Sequence, residues 1–279
     1  MDRATGLGSL ALLLWATLAV LSRAAASLPP FQLTAMAFAV SALLGLIGLA
    51  VRGELGAMRQ PPLVWLHGIG GLFGYHALFF AALAYAPAAE ANLLNYLWPL
   101  LIVLLSAPLL GMRLSGRHIA GVGIGLVGCL LLLARGARFD PGALFGYACA
   151  VGAAVTWAVY SVLARRLRDV PTQAVVGFCA ATSVLAALAH AVFETTVRPS
   201  WPVLGSVLLL GIGPLGVAFA LWDVGMKRGD PRLLGTLAYA TPVASTLILG
   251  LAGFTSLSGV TIAAALLVAV GGWIAARAV

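Results

Sequence analysis

Two histidines, His67 and His76, lie nine residues apart in one apolar stretch, a spacing that invites a metal or proton-relay reading. On an unbroken α-helix nine residues leave the two rings about 180° apart, so they cannot share one ion. His67 is expected near a membrane interface. His76 lies deeper, between Tyr75 and Phe79, where lipid offers an imidazole no hydrogen-bond partner. A ring at that depth faces either a wet cavity or a polar group on a neighbouring helix. Farther along, Asn92, Asn95, Tyr96 and Pro99 stand at i, i+3, i+4 and i+7, so two amides, a phenol and a proline share one stripe of a helix. Pro99 deprives the carbonyl of residue 95 of its usual donor and bends the helix there, both useful beside a cavity. Pro242, with Thr236, Tyr239 and Thr241 nearby, provides a second such break.

Other motifs point away from catalysis. Gly123 to Gly128 satisfies GxGxxG, yet no strand precedes it and no ribose-binding acid is evident. Gly121, Gly125 and Gly128 are expected to form a small-residue packing face instead. There is no GxxxxGK[ST] phosphate loop. Cys129, Cys149 and Cys179 all fall in apolar runs without metal or disulfide spacing and are expected to be buried small hydrophobes. No nucleophile with a base stands near an interface, so an integral-membrane enzyme is disfavoured, and no cofactor or metal is expected. The carboxylates fall in loops or at helix ends, including Glu90 at the start of one span and Asp223 near the end of another. A proton-driven antiporter would carry one at the midplane, so facilitated diffusion is the expected mode, with coupling through a histidine as the alternative.

These residues sit in a chain that is 62% hydrophobic and 9% charged, far from soluble usage. Apolar windows bounded by charge, Pro or Gly predict ten membrane-spanning helices at 6–23, 31–51, 62–83, 90–109, 116–134, 142–164, 172–193, 201–223, 232–251 and 257–276. The fold class is therefore all-α integral membrane, a single membrane domain over 1–279. The net charge of +8 forms no continuous basic face, which argues against nucleic acid. With the N-terminus cytoplasmic, twelve of the sixteen basic residues lie inside and only Arg23, Arg135, Arg138 and Arg198 outside, so both termini are expected in the cytoplasm.

Four landmarks recur in order at offsets of 141 to 143 residues: Trp15–Arg23 with Trp157–Arg165, Pro30–Gln32 with Pro171–Gln173, Gly68–Gly70 with Gly211–Gly213, and Pro99 with Pro242. A duplication over 1–138 and 139–279 explains them. Five spans per half would make the second copy inverted. The Arg3 to Ala26 segment imitates a cleavable signal peptide, but Trp15 and Arg23 have counterparts in the sixth span, so the first helix is expected to belong to the fold.

The repeated half, the Asn92–Pro99 segment with the LLSAPLLGMRLSG stretch after it, and the Gly-rich fifth span resemble the drug/metabolite transporter superfamily, in its EamA-type ten-helix branch. Within it, Asn95-Tyr96-Leu97-Trp98-Pro99 is similar to the bacterial aromatic amino-acid exporters. The resemblance implies export of aromatic and other neutral amino acids through a cavity between the halves, opened alternately to each side. One departure concerns Met112, and Thr255 at the equivalent position of the second half, where many members carry Glu before Arg-Leu-[Ser/Thr]. The candidate substrate-binding residues are Tyr75, His76, Phe79, Asn95, Tyr96, Trp98, Trp157, Tyr160 and Tyr239, with Pro99 and Pro242 as helix breaks. His76 and Asn95 are expected to orient polar ends while the aromatics enclose the side chain. A monomer in the bacterial inner membrane is expected. The competing reading, multidrug or cationic-metabolite export, lacks the buried carboxylate such cargo favours.

Overall fold

The structure is a computed structural model and describes residues 1–134, 139–254 and 258–278. Among the described residues, ten helices are long and apolar enough to cross a membrane. The first spans Arg3–Ala24, the second Pro30–Val51, the third Pro62–Tyr85, the fourth Ala88–Leu110 and the fifth Gly116–Leu133. The sixth spans Pro141–Leu167, the seventh Ala174–Phe193, the eighth Trp201–Arg228, the ninth Pro231–Leu251 and the tenth Gly259–Ala276. Helices suit a bilayer because each satisfies its own backbone polar groups where no water can. Prolines open the second, third and ninth, where the missing N–H would be unpaired anyway. Gly111 and Gly253, with φ of 68° and 79°, turn the chain away at the ends of the fourth and ninth. Arg135, Arg138 and Thr255 lie outside the described residues.

The eighth helix runs five residues beyond the predicted 201–223. Its extra turn carries Lys227, whose Nζ lies 2.8 Å from the Asp223 carboxylate one turn back. The pair neutralises itself, and the helix therefore continues through charges that a hydropathy reading treats as its end.

Irregularities recur along the chain at one spacing. The third helix contains a π-turn over Gly70–Gly74 and the eighth another over Gly213–Val217, 143 residues later. The fourth helix breaks between Asn95 and Trp98, and the ninth between Leu237 and Ala240. Ser115 and Ser258 each close a reciprocal capping box at the start of the fifth and tenth helices. Packing follows the same order: the first helix lies chiefly on the eighth, as the third does on the sixth. The second pairs with the seventh and the fifth with the tenth.

Small residues permit these pairings. Gly121 and Gly128 bring the fifth helix onto backbone carbonyls of Gly271 and Ala264 in the tenth, where an added Cβ would stand 2.6 and 3.0 Å from those oxygens. Gly125 receives the Tyr239 ring. The three form the packing face expected of the GxGxxG stretch. Cys129, Cys149 and Cys179 are buried free thiols.

Candidate functional site: an aromatic cavity at the centre of the bundle

The two π-turns shape the middle of the molecule. In a π-turn the hydrogen-bond ladder is displaced and backbone carbonyls become available to side chains. The Leu72 carbonyl accepts from His76 Nδ1 at 2.7 Å. In the other turn the Pro214 carbonyl accepts from Trp15 Nε1 at 2.9 Å, and the Leu215 carbonyl meets the Cys179 thiol at 3.8 Å. Each π-turn thus fixes the orientation of a ring beside the bundle axis. The first also separates His67 from His76, so the unbroken helix assumed for their opposite faces is interrupted between them. His67 stacks on Tyr160 with centroids 4.8 Å apart, and Tyr160, Trp157 and Tyr75 connect it to His76 by ring contacts of 5.2, 5.5 and 5.2 Å.

A cavity of about 660 Å³ opens between the first, second, third, fourth, sixth, eighth and ninth helices. Trp15, Trp98 and Trp157 wall it, with Phe219 and Leu215 also in the lining. Above them stand Tyr75, His76, Phe79 and Phe80 from the third helix and Asn92, Asn95 and Tyr96 from the fourth. The lining continues to Ala25, Ala26 and Leu28 in the connection between the first two helices, so the space reaches the end of the bundle opposite the termini. No Asp, Glu, Lys or Arg is among the described residues that line it.

The polar groups are few and placed by the helix break. Asn95 closes the first segment of the fourth helix, and its Nδ2 donates to the Tyr75 hydroxyl at 3.2 Å. Asn95 Oδ1 is buried without a hydrogen-bond partner. Asn92 donates to its own helix at Ala88 and Thr34 to Pro30.

The cavity brings together seven of the nine candidate residues: Tyr75, His76, Phe79, Asn95, Tyr96, Trp98 and Trp157. Tyr160 and Tyr239 are not in its lining. Tyr160 lies beneath Trp157, with its ring against Gly71, where a Cβ would stand 2.1 Å from it. Tyr239 is fully buried at the ninth-helix break among Val103, Val122, Cys129 and Val243. Pro99 and Pro242 stand in the first turn after the breaks they were expected to mark, as the second and third residues of the segments that follow. Trp15, Phe80 and Phe219 enter the lining from outside the candidate set. For Trp15 a signal was present, since the 15–23 stretch that it opens is similar in sequence to the 157–165 stretch that Trp157 opens.

Toward the termini the bundle is shut. Trp222, 1% exposed, packs between Trp15 and Trp157 and donates to Ser161 Oγ at 3.0 Å. Beyond it the Thr5 hydroxyl accepts from the Asp230 N–H at 2.9 Å, and Arg165 donates to the Gly229 carbonyl. Arg232 bridges the Asp230 carboxylate, at 2.7 and 3.0 Å, to the Arg113 carbonyl at 2.8 Å. Burial raises the Asp230 carboxyl, but hydrogen bonds and charge from Arg232 outweigh it and hold the group below its ordinary value. Asp2, which caps the first helix, is lowered by the Thr5 N–H and hydroxyl. At the opposite end the Glu194 carboxylate accepts from the N–H groups of Phe31 and Gln32 at 2.8 and 3.0 Å, capping the second helix.

Comparison with known proteins agrees with this architecture. The EamA-like transporter family matches residues 4–134 and again 144–277. The chain is 52% identical over 270 residues to the aromatic amino acid exporter YddG of Ancylobacter novellus, covering 95% of this chain and 94% of that one. It is 27% identical to the YddG of Salmonella typhimurium over 99% of its length and 98% of that protein's. A solved structure described only as the crystal structure of a protein superposes with a TM-score of 0.95 at 50% identity, covering 99% of this chain and 98% of the other. The chain is a multi-pass membrane transporter and belongs to the EamA-like transporter family.

Proposed function

We propose that this protein exports aromatic and other neutral amino acids across the bacterial inner membrane by alternating access, through facilitated diffusion. The observation that carries the reading is the central cavity: aromatic-walled, uncharged, and reaching one end of the bundle while the other is shut. Its volume falls in the range of small-molecule sites, and its rings suit a planar apolar side chain. Relatives named as aromatic amino acid exporters over nearly the full chain support the substrate class. The absence of acidic groups from the described lining favours transport without a coupled proton.

The halves 1–138 and 139–279 are read as inverted copies, supported by the paired π-turns, the paired breaks and the exchanged packing of first on eighth and third on sixth helices. Both termini are read as cytoplasmic from the basic residues, and on that reading the open end of a monomer faces outward. The test is uptake of radiolabelled Phe, Trp, Met and Thr into proteoliposomes with and without imposed pH and voltage gradients. Equilibration without any gradient is expected; uptake that requires a pH gradient at zero potential would replace facilitated diffusion by proton coupling.

A further inference from the structure

The polarity of the cavity wall says more than its aromatic character does. A carbonyl oxygen can only accept, so the 2.7 Å contact between His76 Nδ1 and the Leu72 carbonyl requires the hydrogen on Nδ1. A neutral imidazole with Nδ1–H carries a lone pair on Nε2, and no hydrogen bond to that atom is found among the described residues. His76 therefore presents an acceptor to the cavity. Asn95 presents a second: its Nδ2 is engaged by Tyr75, and Oδ1 is buried with nothing to accept from. The residue is 4% exposed, and an unmet carbonyl at that depth is costly until a donor arrives. Both residues contact Tyr75, Asn95 at its hydroxyl and His76 at its ring, and the Tyr75 and Trp157 rings, with centroids 5.5 Å apart, can attract a cation through their faces.

The donors that await a carboxylate are all neutral. The described lining offers no lysine or arginine. Thr34 and Asn92 already donate to their own helices, and the donors that remain, such as the Trp98 and Trp157 indoles and the Thr241 hydroxyl, are neutral groups that serve a carboxylate, an amide or an ester carbonyl alike.

We infer that the central cavity recognises its substrate by the ammonium group, through His76 Nε2 and Asn95 Oδ1, and tolerates loss of the carboxylate's charge, so that amino-acid amides and esters are cargo while N-acylated amino acids are not. The inference rests on the reading that the cavity takes neutral amino acids. It extends the substrate class to arylalkyl primary ammonium compounds with a neutral tail, a net cation met here by neutral acceptors and ring faces in place of the carboxylate that cationic cargo otherwise favours.

The test uses matched analogues of one side chain. L-Phenylalaninamide keeps the ammonium and neutralises the carboxylate; N-acetyl-L-phenylalanine does the reverse. Binding of each to the purified protein in detergent is measured by calorimetry beside L-phenylalanine, and each competes against labelled phenylalanine in proteoliposomes. The amide is expected to bind within about 10-fold of phenylalanine, and the N-acetyl compound at least about 100-fold more weakly, as loss of a charge-assisted hydrogen-bond pair implies. Equal or tighter binding of the N-acetyl compound overturns the inference, as does failure of both analogues. Should phenylalanine itself not be transported, the amino-acid reading falls, while the two binding constants still decide which end the site prefers. Asn95→Asp provides a second arm. A carboxylate in place of an acceptor amide is expected to tighten the amide by about 10-fold, and weakening would show that Asn95 faces the cavity as a donor.

Discussion

The Asp223 carboxylate and the Lys227 ammonium lie 2.8 Å apart on successive turns of the eighth helix, both almost completely buried in a segment otherwise built from apolar residues. Thr172 donates to the same carboxylate at 2.6 Å, and Lys227 also donates to the Val170 carbonyl at 2.9 Å. The pair thereby ties the eighth helix to the connection between the sixth and seventh, at the shut end. Removing one partner strands the other charge. Asp223→Asn or Lys227→Met is expected to cost about 3 to 5 kcal/mol, whereas the double variant recovers most of that. A double-mutant cycle by thermal unfolding in detergent measures it; additive losses would show that the two groups do not act as a pair.

Tyr75 and Asn95 make the one hydrogen bond from side chain to side chain found between described residues of the cavity wall. Tyr75→Phe keeps the ring and leaves the Asn95 amide without its acceptor, a loss of about 1 to 3 kcal/mol. Phenylalanine flux is expected to fall by about 10-fold with folded yield unchanged. Unaltered transport in a well-folded variant would remove this bond from the site.

Adjacent glycines in the first π-turn should respond oppositely. At Gly71 an added Cβ would lie 2.1 Å from the Tyr160 ring, whereas at Gly70 nothing lies within 4 Å. Gly71→Ala should therefore lower the melting temperature strongly or abolish folded protein, and Gly70→Ala should be tolerated. Thermal melts of the two variants compare them directly; similar behaviour would contradict the close approach of the third and sixth helices.

Asp230 gives a pH signature at the shut end. Its carboxyl is held below the ordinary value, so its contribution to stability is present above the unfolded-state value of about 3.9 and is lost as pH falls through the folded-state value. Stability from this group is flat between pH 5 and 8. The wild-type melting temperature should drop more steeply below about pH 4 than that of Asp230→Asn; parallel curves would deny Asp230 this role.

The helices were legible because a bilayer imposes one length and one composition on every span, and the predicted windows differ from the observed ones mainly where buried charges compensate each other, as at Asp223 and Lys227. The interior was less legible. Nothing in Gly70-Gly71-Leu72-Phe73-Gly74 announces a displaced hydrogen-bond ladder, yet that turn sets which way His76 points. Tyr160 and Tyr239 resemble Tyr75 and Tyr96 in type and depth, and only packing against Gly71 and Gly125 carries them behind the wall. Trp222 illustrates the reverse: a tryptophan near an apolar span end suggests an interface anchor, but its ring is buried beneath the cavity and hydrogen-bonded to Ser161.

The most direct test of the central claim, one cavity exposed alternately to the two sides, is exchange. Proteoliposomes are preloaded with unlabelled tryptophan, and entry of labelled phenylalanine is followed with no pH or voltage gradient. The account predicts saturable entry, faster than into empty vesicles and lost in Trp157→Ala. Entry that neither saturates nor responds to internal tryptophan would indicate a pore and contradict alternating access.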